Sequence, residues 1–541
     1  MRKLLVVALA SILLLGGCST TDVNKERTFN GTTILLSNEQ ILVNGETITS
    51  NSEEAVYVGE PIIYYEDGHD ETYGEGEEKD AHSAEEALSH TVITITQPGN
   101  YQISGKLSLG QIAIDLGEDA KEDSNAVVNL TLYNTEITST VAPAIVVYNA
   151  YECSSSETDN ATMDVDTSNA GFNLILADDS VNTINGSYVA KIYKEGTTKK
   201  LHKYDAAIDS KISYTIDGEE KDNGVLVVNA ENEGISSNLH LTINGGNITI
   251  NSSDDAINTN EDGVSVLTIN SGILTCDSGL GSEGDGIDSN GWIVINGGYV
   301  VTSANGQSQD SGLDADNGIY LNGGIVLGSG NMYDEVSSES TQNFVVFGFN
   351  STLNEESILL IKDAEDKPVV AFSAANAYSM LVYSSNSLVE GEYTLYKVDS
   401  VEGNKNGGIY TNITNYTNAI QLAHSSQVMG MGGRPMGGGQ MPENFDPSQM
   451  HENLPESFNP GQQPGEFPED FDPTKQGEMP VRQEGFKPNN TNGEAPQMPQ
   501  SGMNQDNMPN MPIGEQQPIF TIKTGSNMFN GISEFSQKEG K

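Results

Sequence analysis

Leu241-Thr-Ile-Asn-Gly-Gly246, Leu267-Thr-Ile-Asn-Ser-Gly272, Ile293-Val-Ile-Asn-Gly-Gly298 and Ile319-Tyr-Leu-Asn-Gly-Gly324 are four copies of one phrase. Asn244, Asn270, Asn296 and Asn322 follow one another at intervals of 26 residues, and Asp217 of Tyr214-Thr-Ile-Asp-Gly218 precedes Asn244 by 27. A fixed period of this size marks a stacked repeat architecture. Leu241 and Ile243 alternate with Thr242, and Ile248 and Ile250 resume the alternation after the Asn-Gly-Gly break. Period-2 alternation around a glycine turn describes strands with one buried face, not helices. Asn-Gly supplies the positive φ of a tight bend. A second element recurs once per period as Gly234-Ile-Ser236, Ala256-Ile-Asn258, Gly286-Ile-Asp288 and Gly312-Leu-Asp314. The expected fold is therefore all-β: a parallel β-helix, with aliphatic columns inside and asparagines stacked at one corner. An antiparallel sandwich would need the repeated spacing to be a coincidence.

The pattern weakens outward from this core. Asp205-Ala-Ala-Ile-Asp209 and Pro143-Ala-Ile-Val146 read as earlier coils, and Val92 to Gly105 as a first strand pair capping the stack. Residues 341–428 lose the period but keep strand-like runs, as expected of a cap over the end of a solenoid. Residues 429–518 hold 15 of the 19 prolines and 10 of the 15 methionines, so they are expected to form a disordered tail. The organisation expected is a leader at 1–17, an acidic tether at 18–80, the β-helix at 81–340, the cap at 341–428, the tail, and a short segment at 519–541.

Composition narrows the function. The chain of 541 residues carries 25 Lys+Arg against 77 Asp+Glu, a net charge of −52, which excludes a phosphate-rich nucleic-acid or anionic-lipid surface. Arg2 and Lys3 precede an apolar run from Leu4 to Leu15, a secretory leader too short to span a bilayer stably. Leu15-Gly16-Gly17-Cys18 resembles the bacterial lipobox, which implies lipid on Cys18 and a place on the outer face of the cell membrane. Cys153 and Cys276 are left as buried thiols or a pair.

Strand alternation sets candidate site residues in columns. With Ile257, Ile287 and Leu313 inward, Asn258 and Asn260, Asp288 and Asn290, and Asp314 and Asp316 point outward together, preceded by Ser236 and Asn238 and by Asp209 and Lys211. Asp254, Asp255, Glu283, Asp285 and Asp310 sit at the turns entering these strands. Stacked strands lie about 4.8 Å apart. Two carboxylates at that separation repel by about 1 kcal/mol in water and several-fold more at an effective dielectric of about 20. No Lys or Arg occurs between Lys221 and Lys362 to offset this. The clustered oxygen donors therefore point to Ca²⁺, with a solvated acidic face as the alternative. The metal-ligand candidates are Asp254, Asp255, Asn258, Glu283, Asp285, Asp288, Asn290, Asp314 and Asp316. His240 alternates outward and reads as a surface histidine. Trp292, the lone tryptophan, and Tyr320 alternate outward on neighbouring coils and are candidate sugar-stacking residues.

From about Thr91 to Gln421 the chain resembles a bacterial β-helix family of carbohydrate-binding proteins, related in fold to calcium-dependent polysaccharide lyases. The match rests on the opening Ile-Thr-x-Pro-Gly-Asn-Tyr-Gln-Ile-Ser-Gly, on the repeated Leu-Thr-Ile-Asn-Gly-Gly and on Gly-Asp-Gly-Ile-Asp-Ser-Asn290. The resemblance implies a right-handed parallel β-helix, calcium binding and a polysaccharide partner of acidic or cellulosic type, such as pectin. One departure is that Asn258, Asp288 and Asp314 stand where family members often carry Lys. A lyase needs a strong base beside the metal, and Lys211 is the only basic residue at an equivalent strand position. The segments that usually accompany a β-helix hydrolase are missing. The expected protein is a monomeric, non-catalytic binding module, with a lyase or a non-glycan surface adhesin as alternatives.

Overall fold

The computed structural model describes residues 27–62, 84–189, 204–355, 357–425, 516–525 and 527–535. The leader, Cys18 and almost all of the segment 429–518 lie outside the described residues. What is described is nearly all β, in two sheets whose strand directions are mixed.

The repeat region builds three parallel stacks. One runs Phe172–Leu176, Tyr214–Gly218, His240–Ile243, Val266–Ile269, Trp292–Ile295 and Gly318–Leu321. Its register sets Leu241 on Leu267, Ile293 and Ile319 in turn. The next stack runs Val181–Gly186, Val225–Ala230, Asn247–Ser252, Ile273–Asp277, Tyr299–Ser303 and Ile325–Gly330. The third forms the separate sheet. It begins at Thr91–Ile95, Gly110–Asp115 and Ile145–Asn149, and continues through Ala206–Ser210, Glu233–Ser237, Ile257–Thr259, Ile287–Ser289 and Asp314–Ala315. One strand from each stack makes up one period, and the aliphatic residue of every copy enters a single continuous core.

The turn after each asparagine is set by its second glycine. Gly246, Gly272, Gly298 and Gly324 have φ between 79° and 90°. That explains why Ser271 is tolerated at the first glycine position. A Cβ on Gly272 would lie 2.8 Å from the Gly246 carbonyl oxygen, so the coils approach too closely for any side chain there.

Three expectations need correction. Residues 27–62 are not tether: Thr32–Leu36 pairs in parallel with Gly99–Leu107, and Val56–Val58 pairs antiparallel with Thr91–Ile95. Ile34, Leu36 and Val56 are buried there, so this segment, and not Val92 to Gly105, covers the start of the stacks. Of the segment 519–541, the described residues are likewise part of the fold. Phe520–Ile522 pairs with Gly391–Val398, and Met528–Glu534 lies between Phe344–Leu353 and Ile420–Ser425. Phe520, Ile522 and Ile532 are buried in a second core with Phe347, Phe372 and Tyr383. Finally, the sheets are mixed, not parallel throughout as a β-helix alone would give. Tyr378–Ser385 joins the last strand of the second stack, Ile325–Gly330, in antiparallel register, and the strands beyond 341 pair mainly antiparallel. Both thiols are free: Cys276 is buried in the core and Cys153 is half-buried.

Candidate functional site

The register of the third stack aligns Asp209, Ser236, Asn258, Asp288 and Asp314 in one column. The same register sets a second acidic column, Glu233, Asp255 and Asp285, two positions before the inward isoleucines. Its members stitch coil to coil. The backbone N–H of Asp285 donates to Asp255 Oδ1 (2.6 Å), and that of Ser311 donates to Asp285 Oδ1. Asp334, from the loop after the last coil, accepts the Ala315 N–H at 3.0 Å and closes the end of the seam.

This seam is not the solvent-facing column expected. Asp209 is 0% exposed, Ser236 1% and Asn258 8%. The cause is visible one and two coils earlier in the same column, where Val146 and then Ala113 replace polar residues. They belong to an apolar cluster on the outside of the stack, with Tyr148 and Tyr204 packed against it. Tyr204 stacks edge-on against Tyr148, and Lys211 Nζ lies 4.4 Å from the Tyr204 ring centre and 2.7 Å from Asp209 Oδ1. Further along the seam, Asp288 and Asp314 are half-buried, and Glu283 and Asp316 are exposed.

Burial, reinforced by neighbouring carboxylates, raises six carboxyl groups of the seam. Burial, reinforced by Asp255 and Asp314, pushes Asp285 up to about 10. Burial with the neighbouring Asp334, Asp288 and Asp316 pushes Asp314 up to about 9, and burial with Asp316 and Asp334 pushes Asp288 to about 7. Asp255 and Glu233 are raised well above the usual carboxylate range, again by burial first and neighbouring carboxylates second. Lys211 restrains Asp209, which burial still lifts to about 6.

Hydrogen bonding leaves acceptors over. Asn258 Nδ2 donates to Glu233 Oε1 (3.1 Å) and to Asp255 Oδ2 (3.4 Å), while Asn258 Oδ1 and Glu233 Oε2 are buried without a partner among the described residues. Turning the amide over would aim its oxygen at two carboxylates, so while Glu233 and Asp255 are ionised either orientation leaves an acceptor without a donor. A buried acceptor left unmade costs about 1–3 kcal/mol. As they stand, no three His, Cys, Asp or Glu side chains among the described residues gather on one point to form a finished metal site. The donor set is oxygen only, which suits a hard cation and not zinc or copper.

Glu233, Asp205 and Asp334 join the seam in addition to the residues expected. Glu233 was legible, since an acid stands two places before the inward isoleucine in three successive coils. Asp334 carries no periodic signal.

His240 is a correction. It alternates outward as expected, but it is 2% exposed because residues near 154 cross that face. The Val266 N–H donates to Nδ1 (3.1 Å), so Nε2 carries the proton and faces Ser154 Oγ at 3.0 Å. Burial lowers its pKa to about 4. Trp292 and Tyr320 are half-buried on the outer face of the first stack. A groove of about 480 Å³ runs along this same face between Asp164–Ser168 and the asparagine column. A second groove, of about 540 Å³, carries Lys121, Glu152, Lys211, Asn238 and Glu261.

No curated protein matches the chain. Among solved structures it is similar to a polysaccharide lyase-like protein from C. thermocellum, determined as a gadolinium derivative. The identity is 20% and the TM-score 0.33, over 55% of this chain and 90% of that one. A family model described as carbohydrate-binding domain-containing protein matches residues 89–361, just over half of the 541 residues and the whole of the three-stack region from Thr91 onward. The chain belongs to this family of carbohydrate-binding domain-containing proteins.

Proposed function

We propose that this chain is a cell-surface lipoprotein whose coils form a right-handed parallel β-helix. In this reading it binds Ca²⁺ along the acidic seam and holds a polysaccharide, of acidic or cellulosic type, without cleaving it. Family membership supports the carbohydrate partner. The observation that carries the metal is the pair of buried acceptors without donors among the described residues, Glu233 Oε2 and Asn258 Oδ1, in a stretch with no Lys or Arg from 222 to 361.

The residues that would hold the ion are Asp254, Asp255, Asn258, Asp285, Asp288 and Asp314, with Glu233 and Asp334 added. Glu283, Asn290 and Asp316 lie at the outer rim. A bound cation would neutralise the seam and offer open positions to uronate carboxylates. The protein's own part is to keep the carboxylates parallel at strand spacing and to shield them from water. Lys211, the one basic residue beside the seam among the described residues, is paired with Asp209 over the Tyr204 ring, an arrangement that holds a cation in place and not a free base. Lipid on Cys18 would keep the domain on the extracellular face.

A glycan-array screen with Ca²⁺ and with chelator tests the binding reading directly. Chelator-sensitive binding of uronate glycans without release of unsaturated sugars is expected. Release of such products would make the chain a lyase. Cys18→Ser is expected to move the protein from the membrane fraction to the medium, and unchanged partitioning would remove the anchor.

A further inference from the structure

The asparagines form one continuous amide chain down the outside of the first stack. Asn322 Nδ2 donates to Asn296 Oδ1, Asn296 to Asn270, Asn270 to Asn244, and Asn244 to Asp217 Oδ1, each at 2.9–3.0 Å. Every amide donates in the same direction, toward the carboxylate of Asp217. Each Asn spends one N–H on this chain, and its second N–H is left for another acceptor. Asn244, Asn270 and Asn296 are exposed, so those donors face the solvent.

These asparagines form one wall of the groove of about 480 Å³, whose floor is Thr242, Thr268 and Val294 and whose other wall is the segment Asp164–Ser168. Thr167 Oγ is 2.7 Å from Thr242 Oγ, so that wall is fastened to the floor. Among the described residues no Lys or Arg lines the groove, whereas Asp164 and Asp166 do. Direct contact with an anionic ligand is therefore disfavoured. Tyr320 is the register partner of Val294, so it continues the column of floor residues one coil beyond the groove, and Trp292 lies two residues before Val294 on the same face. The donors repeat at the strand spacing of about 4.8 Å, close to the rise of one pyranose unit in an extended polysaccharide.

We propose that this groove binds a neutral, extended polysaccharide lying along the stack, one pyranose unit per coil, with hydroxyl and ring oxygens accepting from the free amide N–H groups and Tyr320 stacking on the sugar at the late-coil end. The inference rests on the polysaccharide-binding reading above, but it places the neutral ligand in a site separate from the acidic seam and independent of metal.

The test is calorimetric titration of the full chain with a length series of neutral β-1,4-linked gluco-oligosaccharides, in the presence of chelator, beside a polygalacturonate titration in Ca²⁺. Affinity is expected to rise up to four sugars, matching Asn244 to Asn322, and to level off beyond. Thr268→Arg, which fills the groove without touching the amide chain, is expected to weaken binding by at least about tenfold, and Tyr320→Ala to weaken it too. Unchanged melting of the Thr268→Arg variant checks that it folds. Binding that ignores Thr268→Arg, or that vanishes with chelator, overturns the proposal. If polygalacturonate binds and no neutral oligosaccharide does, this inference fails alone. If neither binds, the polysaccharide reading fails with it.

Discussion

Asp288 and Asp314 are direct register partners on adjacent strands of the third stack, two carboxylates one strand spacing apart with no cationic side chain supplied by the surrounding coils. Folding brings them together against their own repulsion. The stability of the stack is therefore tied to whatever neutralises this pair, whether a proton or a cation.

The first expectation concerns pH. An Asp normally titrating near 3.8 that is raised to about 7 at Asp288 and about 9 at Asp314 binds more protons folded than unfolded. Its stabilising contribution is present below the unfolded value and is lost as pH rises through the folded one. Without divalent cation, the melting temperature should fall between about pH 5 and pH 9, and Asp288→Asn with Asp314→Asn should flatten that slope. His240 acts at the other end: its pKa is lowered to about 4, so its contribution is lost as pH falls below 6.5 toward that value. Melting curves across pH in chelator check both limbs, and His240→Gln should remove the acid one.

Glycine substitutions should separate crowding from backbone strain. Gly272 and Gly263 both have positive φ, at 90° and 71°, but a Cβ on Gly272 meets backbone within 3 Å while one on Gly263 meets nothing within 4 Å. Gly263→Ala should cost about 1 kcal/mol, the strain of a left-handed backbone alone. Gly272→Ala should cost clearly more, since two backbones must part. Urea midpoints of the two variants decide it, and equal shifts would contradict the close-approach account.

The C-terminal strands give a third expectation. His424 and Ser425 pair with Gln517 and Gln516, so the two ends of the segment 426–515 are hydrogen-bonded neighbours. Replacing residues 430–510 with a short Gly-Ser linker should leave the melting temperature within a few degrees. Stopping the chain at 515 should instead expose Phe347, Phe372 and their neighbours by removing Phe520, Ile522 and Ile532. Loss of those buried side chains amounts to about 1.5–3 kcal/mol each. A stable chain ending at 515 would show that these strands only decorate the fold.

The stacks were legible because the constraints that build them are local and repeat. An inward aliphatic, an asparagine and a glycine recur at one spacing, and the alignment of Asp288 with Asp314 follows from them. What escaped reading came from segments outside the period. Residues near 154 bury His240, Tyr148 and Tyr204 cover the outside of the stack at Asp209, and 516–534 returns across a long excursion to complete a core begun at Phe344. Alternation distinguishes the inside of a coil from its outside. It does not tell whether the outside is wet, and that difference turns an ordinary acidic surface into a seam of raised carboxylates.

The most direct test of the account is the melting temperature of the full chain at neutral pH and low ionic strength, with and without Ca²⁺. A ligand that binds only the folded state adds about 2.7 kcal/mol at 100 times its dissociation constant, a rise of several degrees. Ca²⁺ should therefore raise the melting temperature and chelator lower it. Monovalent salt of equal ionic strength should substitute poorly, because it screens the carboxylates without filling a site. Asp288→Asn with Asp314→Asn should remove most of the Ca²⁺ response. Curves that superimpose with Ca²⁺ and with chelator would contradict the account and leave the seam neutralised by protons alone.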